Sequence, residues 1–237
     1  ALAEWPGTEG PGNTDDLTLP AGQLRLARAM EATGKPVILA IQHNRPRVIR
    51  EVVDGARAIL TAYESGPFGG DALAGVIFGD VNPSGKLPFT WPRSTGSIEH
   101  SDRAEPGNSN DAFHAEWEFG FGLSYTTFAY SDLRIDRVTV SSRDTVTVTV
   151  TVANTGKRAG REVVQLYSRD LYASIDPAVR RLRDFQSVTL APGARKTVTF
   201  RLPIQRLAFV GLNDRFIVEP GDFEFSVGGL VRPLTVR

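Results

Sequence analysis

The chain has 237 residues, enough for one large domain or two modest ones. Hydrophobic residues make up 41% and charged residues 23%, an ordinary globular balance, and a formal net charge of zero leaves no broad electrostatic footprint for nucleic acid or an anionic membrane. Cysteine is absent, which removes disulfide frameworks, thiol nucleophiles and thiolate metal sites, and no apolar run approaches a bilayer span of about 20 residues.

The first residue is alanine and no signal-like segment follows, so the chain is expected to be a mature product or an excised fragment. Residues 4–20, EWPGTEGPGNTDDLTLP, set Glu4, Glu9, Asp15 and Asp16 among three glycines and three prolines, a stretch that favours neither helix nor strand. Composition reads it as a solvated loop in which Asp15 or Asp16 caps the helix that follows. A second reading stands beside this one. The loop leads out of what would be a preceding strand, and ligands gather at strand-end loops in open α/β sheets.

Beyond Pro20, helix and strand signals alternate. Leu24, Ala27 and Met30 recur at helical spacing, with Gly34 and Pro36 as the stop signal. PVILAIQ (36–42) is a continuous apolar run of strand length, as expected for a strand covered on both faces. A second helix is expected over about Pro46–Ala56, with Val48, Ile49, Val52 and Val53 as its stripe. AILTAY (58–63) reads as a second buried strand, and GGDALAGVIFG (69–79) as a short helix closed by glycine. This rhythm argues for a parallel sheet with crossovers, and two crossovers make only part of a larger sheet. Residues 81–92 hold too much proline and glycine to extend the pattern. Residues 93–116 read as a long surface loop, of a length that is often functional.

After Phe128 the period becomes two. In DTVTVTVTVANTG (144–156), Val146, Val148, Val150 and Val152 alternate with threonines, the mark of a half-buried strand. EVVQLYSRD (162–170), FQSVTLAPGARKTVTFRLP (185–203) and FIVEPGDFEFSVGG (216–229) continue with strands and turns, with APGARK and EPGD as turns in which glycine takes a positive φ. About seven short strands in this half argue for an immunoglobulin-like or fibronectin-type sandwich. The expected organisation is therefore an α/β part over 1–92, a linker or long loop over 93–127 and a β-sandwich over 128–237.

Other chemical candidates are weak. His43, His100 and His114 show no ligand spacing and read as structural or incidental. GGDALAG lacks the phosphate-loop lysine and the dinucleotide fingerprint, so close helix–strand packing accounts for it better. Ser124 is not flanked as a nucleophile elbow. Neither metal nor organic cofactor is expected.

Three blocks, LTLPAGQLRLARAMEATGKPVILAIQHNRPRVI, AILTAYESGPFGGDALAGVIFGDVNPSGKLPFTWPR and WEFGFGLSYTTFAYSDL, resemble the C-terminal half of family 3 glycoside hydrolases, the β-glucosidases and exo-β-glucanases. VANTGKRAGREVVQLYSRD and LRDFQSVTLAPGARKTVTFRL resemble the fibronectin type III-like module that ends many members. The resemblance implies part of an (α/β)6 sandwich domain followed by that module, with a barrel before them that carries a nucleophilic aspartate. In the exo-glucanase branch the acid/base loop is similar to G-E-x-P-Y-x-E-x-x-G-D followed by N-L-T-I-P. Here Glu4 and Glu9 keep its spacing, Pro6 and Gly12 fall in place, and LTLP closes it. By resemblance Glu9 is the candidate general acid/base, while Glu4, as a polar contact or orienter, and Trp5 are candidate substrate-binding residues.

The resemblance thus implies a retaining β-glucosidase acting on terminal non-reducing β-D-glucosyl residues of a β-glucoside or β-glucan oligosaccharide. This chain would supply the acid/base loop, its partner would be the N-terminal barrel of the same enzyme, and the isolated fragment would be inactive. Secretion or periplasmic export is the family-level expectation. Three departures stand out: Asn13 where relatives have Asp, Phe68 where the common P-G-x-E-G-G pattern has Glu, and Asn44 for the glycine of G-R-P, a residue that tolerates left-handed backbone. The alternative function is a non-catalytic carbohydrate-binding or scaffold protein of the same modules, with Trp5 and Trp117 as a stacking surface; core packing is the plainer reading of Trp117.

Overall fold

The computed structural model describes the backbone of Leu2–Ala3 and residues 14–95, 115–175 and 177–237. Among these the chain divides into two compact units, one built from residues 14–81, 87–95 and 115–119 together with the first strand, the other from 82–86 and 120–237. No helix among the described residues is long and apolar enough to cross a membrane.

The first unit is α/β. Its sheet has three parallel strands in the order β1 (Leu2–Ala3), β2 (Ile38–Gln42) and β3 (Ala58–Thr61). Between β1 and β2 runs helix α1 (Ala21–Glu31), which buries Leu24 and Ala27 and ends where Gly34 takes φ 71°. Met30, expected on the same stripe, is exposed. Helix α2 (Gly69–Phe78) follows β3 and stops at Gly79, which is left-handed at φ 86°. The expected closing glycine has a direct cause here: only a residue without Cβ enters that conformation at no steric cost.

Two local expectations are corrected. The helix expected over 46–56 is only a 3-10 turn, Arg50–Val52. Val48 is instead extended and bridges Thr18, with Val48 N–H donating to the Leu17 carbonyl at 2.9 Å, so the would-be first turn is spent on strand-like pairing. Ile49 and Val52 are buried regardless of helical phase. Neither Asp15 nor Asp16 caps α1, whose N-cap is Pro20 without a side-chain cap. Asp16 accepts the Thr18 N–H at 2.8 Å and closes its own turn.

A short antiparallel pair completes this unit: β4 (Trp91–Pro92) and β5 (Ala115–Trp117), with Trp91 opposite Trp117. The core gathers Leu19, Leu24, Leu39, Ile41, Ile49 and Val52 around Trp91.

The second unit is a two-sheet sandwich. Its strands are β6 (Phe128–Ile135), β7 (Thr139–Val140), β8 (Thr145–Asn154), β9 (Gly160–Asp170), β10 (Arg181–Leu190), β11 (Arg195–Pro203), β12 (Phe209–Val210), β13 (Phe216–Ile217), β14 (Gly221–Val227) and β15 (Leu230–Val236). One sheet has the order β10-β9-β14-β15-β7 and the other β11-β8-β6, while β12 and β13 form a small hairpin. All four valines of β8 are fully buried and its threonines lie on the other face, so the period of two is realised residue by residue. They pack with Leu166, Phe200, Phe223 and Phe225 in one core.

The β10–β11 turn has Gly193 at φ 74°, as APGARK requires. The EPGD expectation differs: Gly221 does not have positive φ and opens β14 instead. The positive-φ turn lies further on, at Gly228 and Gly229, the two-residue connection of the β14–β15 hairpin. Residues 82–86 pack with the sandwich. Asn82 donates to the Ala159 carbonyl and accepts from Ser124 Oγ and Tyr125 N–H, and Lys86 reaches the buried Glu162 at 3.4 Å.

Candidate active-site edge of the parallel sheet

The three parallel strands determine where this unit presents polar chemistry. Because β1, β2 and β3 run the same way, Ala3, Gln42 and Thr61 end them at one carboxyl edge, where Ala3 is in register with Gln42. The chain therefore leaves β1 at Ala3 on this edge, where β2 and β3 also end. Open α/β sheets bind ligands at this edge. Glu4, Trp5 and Glu9 themselves lie outside the described residues, as does Asn13.

His43, one residue beyond β2, is 2% exposed, and its Nε2 lies 2.6 Å from Thr61 Oγ1 at the end of β3. The strand register makes this contact: neighbouring parallel strands bring their last residues together, and the hydroxyl supplies a polar partner where the imidazole would otherwise be buried among rings. Trp91 meets the imidazole edge-on at 5.0 Å between centroids, Phe89 at 6.4 Å, and Tyr63 at 5.2 Å with the planes tilted by 49°. Phe89 also meets Tyr63 edge-on, and Trp91 meets Trp117 at 5.7 Å. The Trp91 indole N–H donates to the Arg47 carbonyl at 2.8 Å, satisfying its one polar atom. His43 is thus locked into a wall of aromatic rings directly below the edge, and Trp117 is half-buried against the same core.

Tyr63 is the conformational outlier. Its φ of 49° puts a bulky residue in the left-handed region, one of three non-glycine residues so placed among those described. Asn44, suited to that conformation by its side chain, does not adopt it. Burial raises the pKa of the Tyr63 phenol, and a hydrogen bond with the Thr61 side chain partly opposes the rise. Thr61 Oγ1 thus serves the His43 imidazole where β2 and β3 end.

A charged clamp holds the neighbouring turn. Arg50 donates to Glu116 Oε1 at 2.8 Å and pairs with Asp54, and its pKa is raised first by the Asp54 hydrogen bond. The Glu116 carboxylate is buried, so this pair ties the 3-10 turn to β5 in a partly desolvated place. Among the described residues no group of three or more His, Cys, Asp or Glu side chains is arranged to hold a metal ion.

Sequence reasoning passed over Tyr63, Phe89 and Trp91. Tyr63 was legible only as the end of an apolar run, and the pair in PFTW shows no regular period. They become a group because separate segments converge at the sheet edge, a feature that has no sequence spacing.

Residues 2–125 match the glycosyl hydrolase family 3 C-terminal domain, and residues 162–231 match the fibronectin type III-like domain. A β-xylosidase of Formosa agariphila is 41% identical over 92% of this chain and 31% of its own length. A periplasmic β-glucosidase of Salmonella typhimurium is 40% identical over 90% of this chain and 30% of its own length. The crystal structure of a β-glucosidase from Listeria innocua in complex with glucose superposes with a TM-score of 0.89 at 29% identity, covering 99% of this chain and 36% of that one. The chain spans about a third of the length of these relatives. With an α/β unit and a fibronectin-like sandwich in place and more than half its residues within the first match, this chain belongs to the glycosyl hydrolase family 3 C-terminal domain family.

Proposed function

We propose that this chain is the C-terminal portion of a retaining β-glucosidase that releases terminal non-reducing β-D-glucosyl residues, and that residues 4–13 are its acid/base loop. The observation that carries the reading is β1. Its parallel pairing with β2 delivers the chain at Ala3 to the carboxyl edge, where a loop of such composition can address a ligand. Glu9 is the acid/base and Glu4 its orienting neighbour, with Trp5 a sugar contact.

A retaining hydrolase needs two carboxyl groups about 5–5.5 Å apart. One attacks the anomeric carbon as the other protonates the departing glycosidic oxygen; the second then takes a proton from the water that cleaves the glycosyl ester. Glu9 fills the second role. The nucleophilic aspartate belongs to a barrel outside these 237 residues. The carbohydrate ligand is a β-glucoside or β-glucan oligosaccharide, and export to the periplasm or the exterior fits the periplasmic relative. A β-xylosidase is the second reading, favoured by the name of a relative at 41% identity.

In the full-length enzyme, Glu9→Gln lowers kcat on an alkyl β-glucoside by about 100-fold or more, and less on an aryl glucoside whose leaving group needs no proton. Equal activity of wild type and variant removes Glu9 from the role. Faster cleavage of an aryl β-xyloside than of the matching β-glucoside selects the second reading. A full-length protein that binds both sugars and cleaves neither is the non-catalytic alternative.

A further inference from the structure

The sandwich gathers three arginines that none of the chemistry above uses. β10 is interrupted after Leu182 by a bulge, and Arg183 is its extra residue, since Leu182 pairs with Tyr167 and Asp184 with Leu166. A bulge re-aims the side chain it carries. Here the half-buried Arg183 guanidinium turns to two fixed acceptors: its Nε donates to Ser168 Oγ at 2.6 Å and its Nη1 to the Arg206 carbonyl at 2.6 Å. Ser168 is buried and stands in register with Arg181. Arg206, exposed on the 3-10 turn Ile204–Leu207, brings a third guanidinium close enough to act on Arg183. Among the described residues no carboxylate forms an ion pair with Arg181, Arg183 or Arg206. The Arg183 pKa is pushed down to about 10, first by burial and then by the charges of Arg181 and Arg206, while Asp170 opposes this least. Asp170 accepts the Tyr172 N–H, and burial raises its own pKa. Like charges partly withdrawn from water without a counter-ion are costly. The Arg183 Nη2 is accepted by no protein group among the described residues.

We propose that Arg181, Arg183 and Arg206 form an oxyanion site on the sandwich, which takes a sulfate or carboxylate group, free or carried by an acidic saccharide. The planar fork of a guanidinium matches such groups, and the Arg183 fork is held in place at Nε and Nη1 so that Nη2 is pre-organised to donate. Arg181 and Arg206 add charge around it, and an anion there relieves the repulsion among the three. The site goes beyond the glycosidase reading and does not depend on it, because binding is measurable whether or not a sugar is cleaved.

The test is calorimetric titration of the full-length protein with sodium sulfate and with sodium glucuronate, at constant ionic strength set by chloride. At least one of the two should bind saturably. Arg206→Gln keeps the backbone carbonyl that Arg183 uses and sits at an exposed position, so it should fold, and it should weaken that binding about 5-fold or more. Arg181→Gln should do the same, and Arg206→Glu should abolish binding. Arg201→Gln, which removes an exposed arginine of β11, should leave the affinity within about twofold. Tighter binding of glucuronate than of sulfate, lost in the same variants, assigns the site to acidic saccharides, and the reverse order assigns it to the free anion. Absence of saturable binding of either probe, binding that Arg206→Glu leaves intact, or an equal loss in Arg201→Gln refutes the site.

Discussion

Asn154 shows how much one buried polar side chain can organise. It is 1% exposed at the end of β8. Its Oδ1 accepts from Thr126 Oγ1 and Gly156 N–H, and its Nδ2 donates to the carbonyls of Arg158 and Leu190. All four hydrogen-bonding sites are used, and they tie three segments of the sandwich together. Asn154→Ala strands those partners in a dry place, and denaturant unfolding should show a loss of about 2–4 kcal/mol. Asp144 acts at the surface. Its carboxylate accepts the Ser141 N–H at 2.7 Å and lies near Arg137, and the Ser141 bond is the first cause of its lowered pKa. A carboxyl depressed in the folded state stabilises above its unfolded pKa of about 4 and loses that contribution as pH falls through the folded value. Asp144→Asn should therefore be less stable than wild type at pH about 6, with the difference shrinking towards pH about 2; a gap independent of pH would contradict the assignment.

At the scale of elements, β8 gives the sharpest case of pattern dictating placement. Val150 is fully buried opposite Val198, while its neighbour Thr149 lies on the other face opposite Thr199. The two side chains are nearly isosteric, so exchanging them isolates polarity from shape. Val150→Thr should cost about 1–3 kcal/mol for an unsatisfied hydroxyl, whereas Thr149→Val should stay within about 0.5 kcal/mol, both read by thermal or urea unfolding. The segment 46–56 is the opposite case. Its apolar residues have helical spacing, but Val48 pairs with Thr18 and only Arg50–Val52 turns. A non-local bridge supplied the hydrogen bonds that a first helical turn would have made, and the apolar stripe was buried either way.

For the molecule as a whole, the fraction of the relatives that it spans is decisive. At about a third of their length it holds one proposed half of a two-carboxylate reaction. The purified 237-residue chain should show no turnover of an aryl β-glucoside above buffer, and turnover by the pure chain would place the nucleophile within it. Composition and periodicity were enough to read the two fold classes: continuous apolar runs marked β2 and β3, strict alternation marked β8, and Gly79 and Gly193 marked their turns. Such signals are legible because they come from backbone sterics and from which face of an element meets water, both local properties. Glu4, Trp5 and Glu9 are candidates by resemblance only and lie outside the described residues. The grouping of His43, Thr61, Tyr63, Phe89 and Trp91 came only with the tertiary structure. Parallel strands bring their ends together from distant parts of the chain, and the register that aligns those ends is a property of the sheet, with no counterpart in residue spacing.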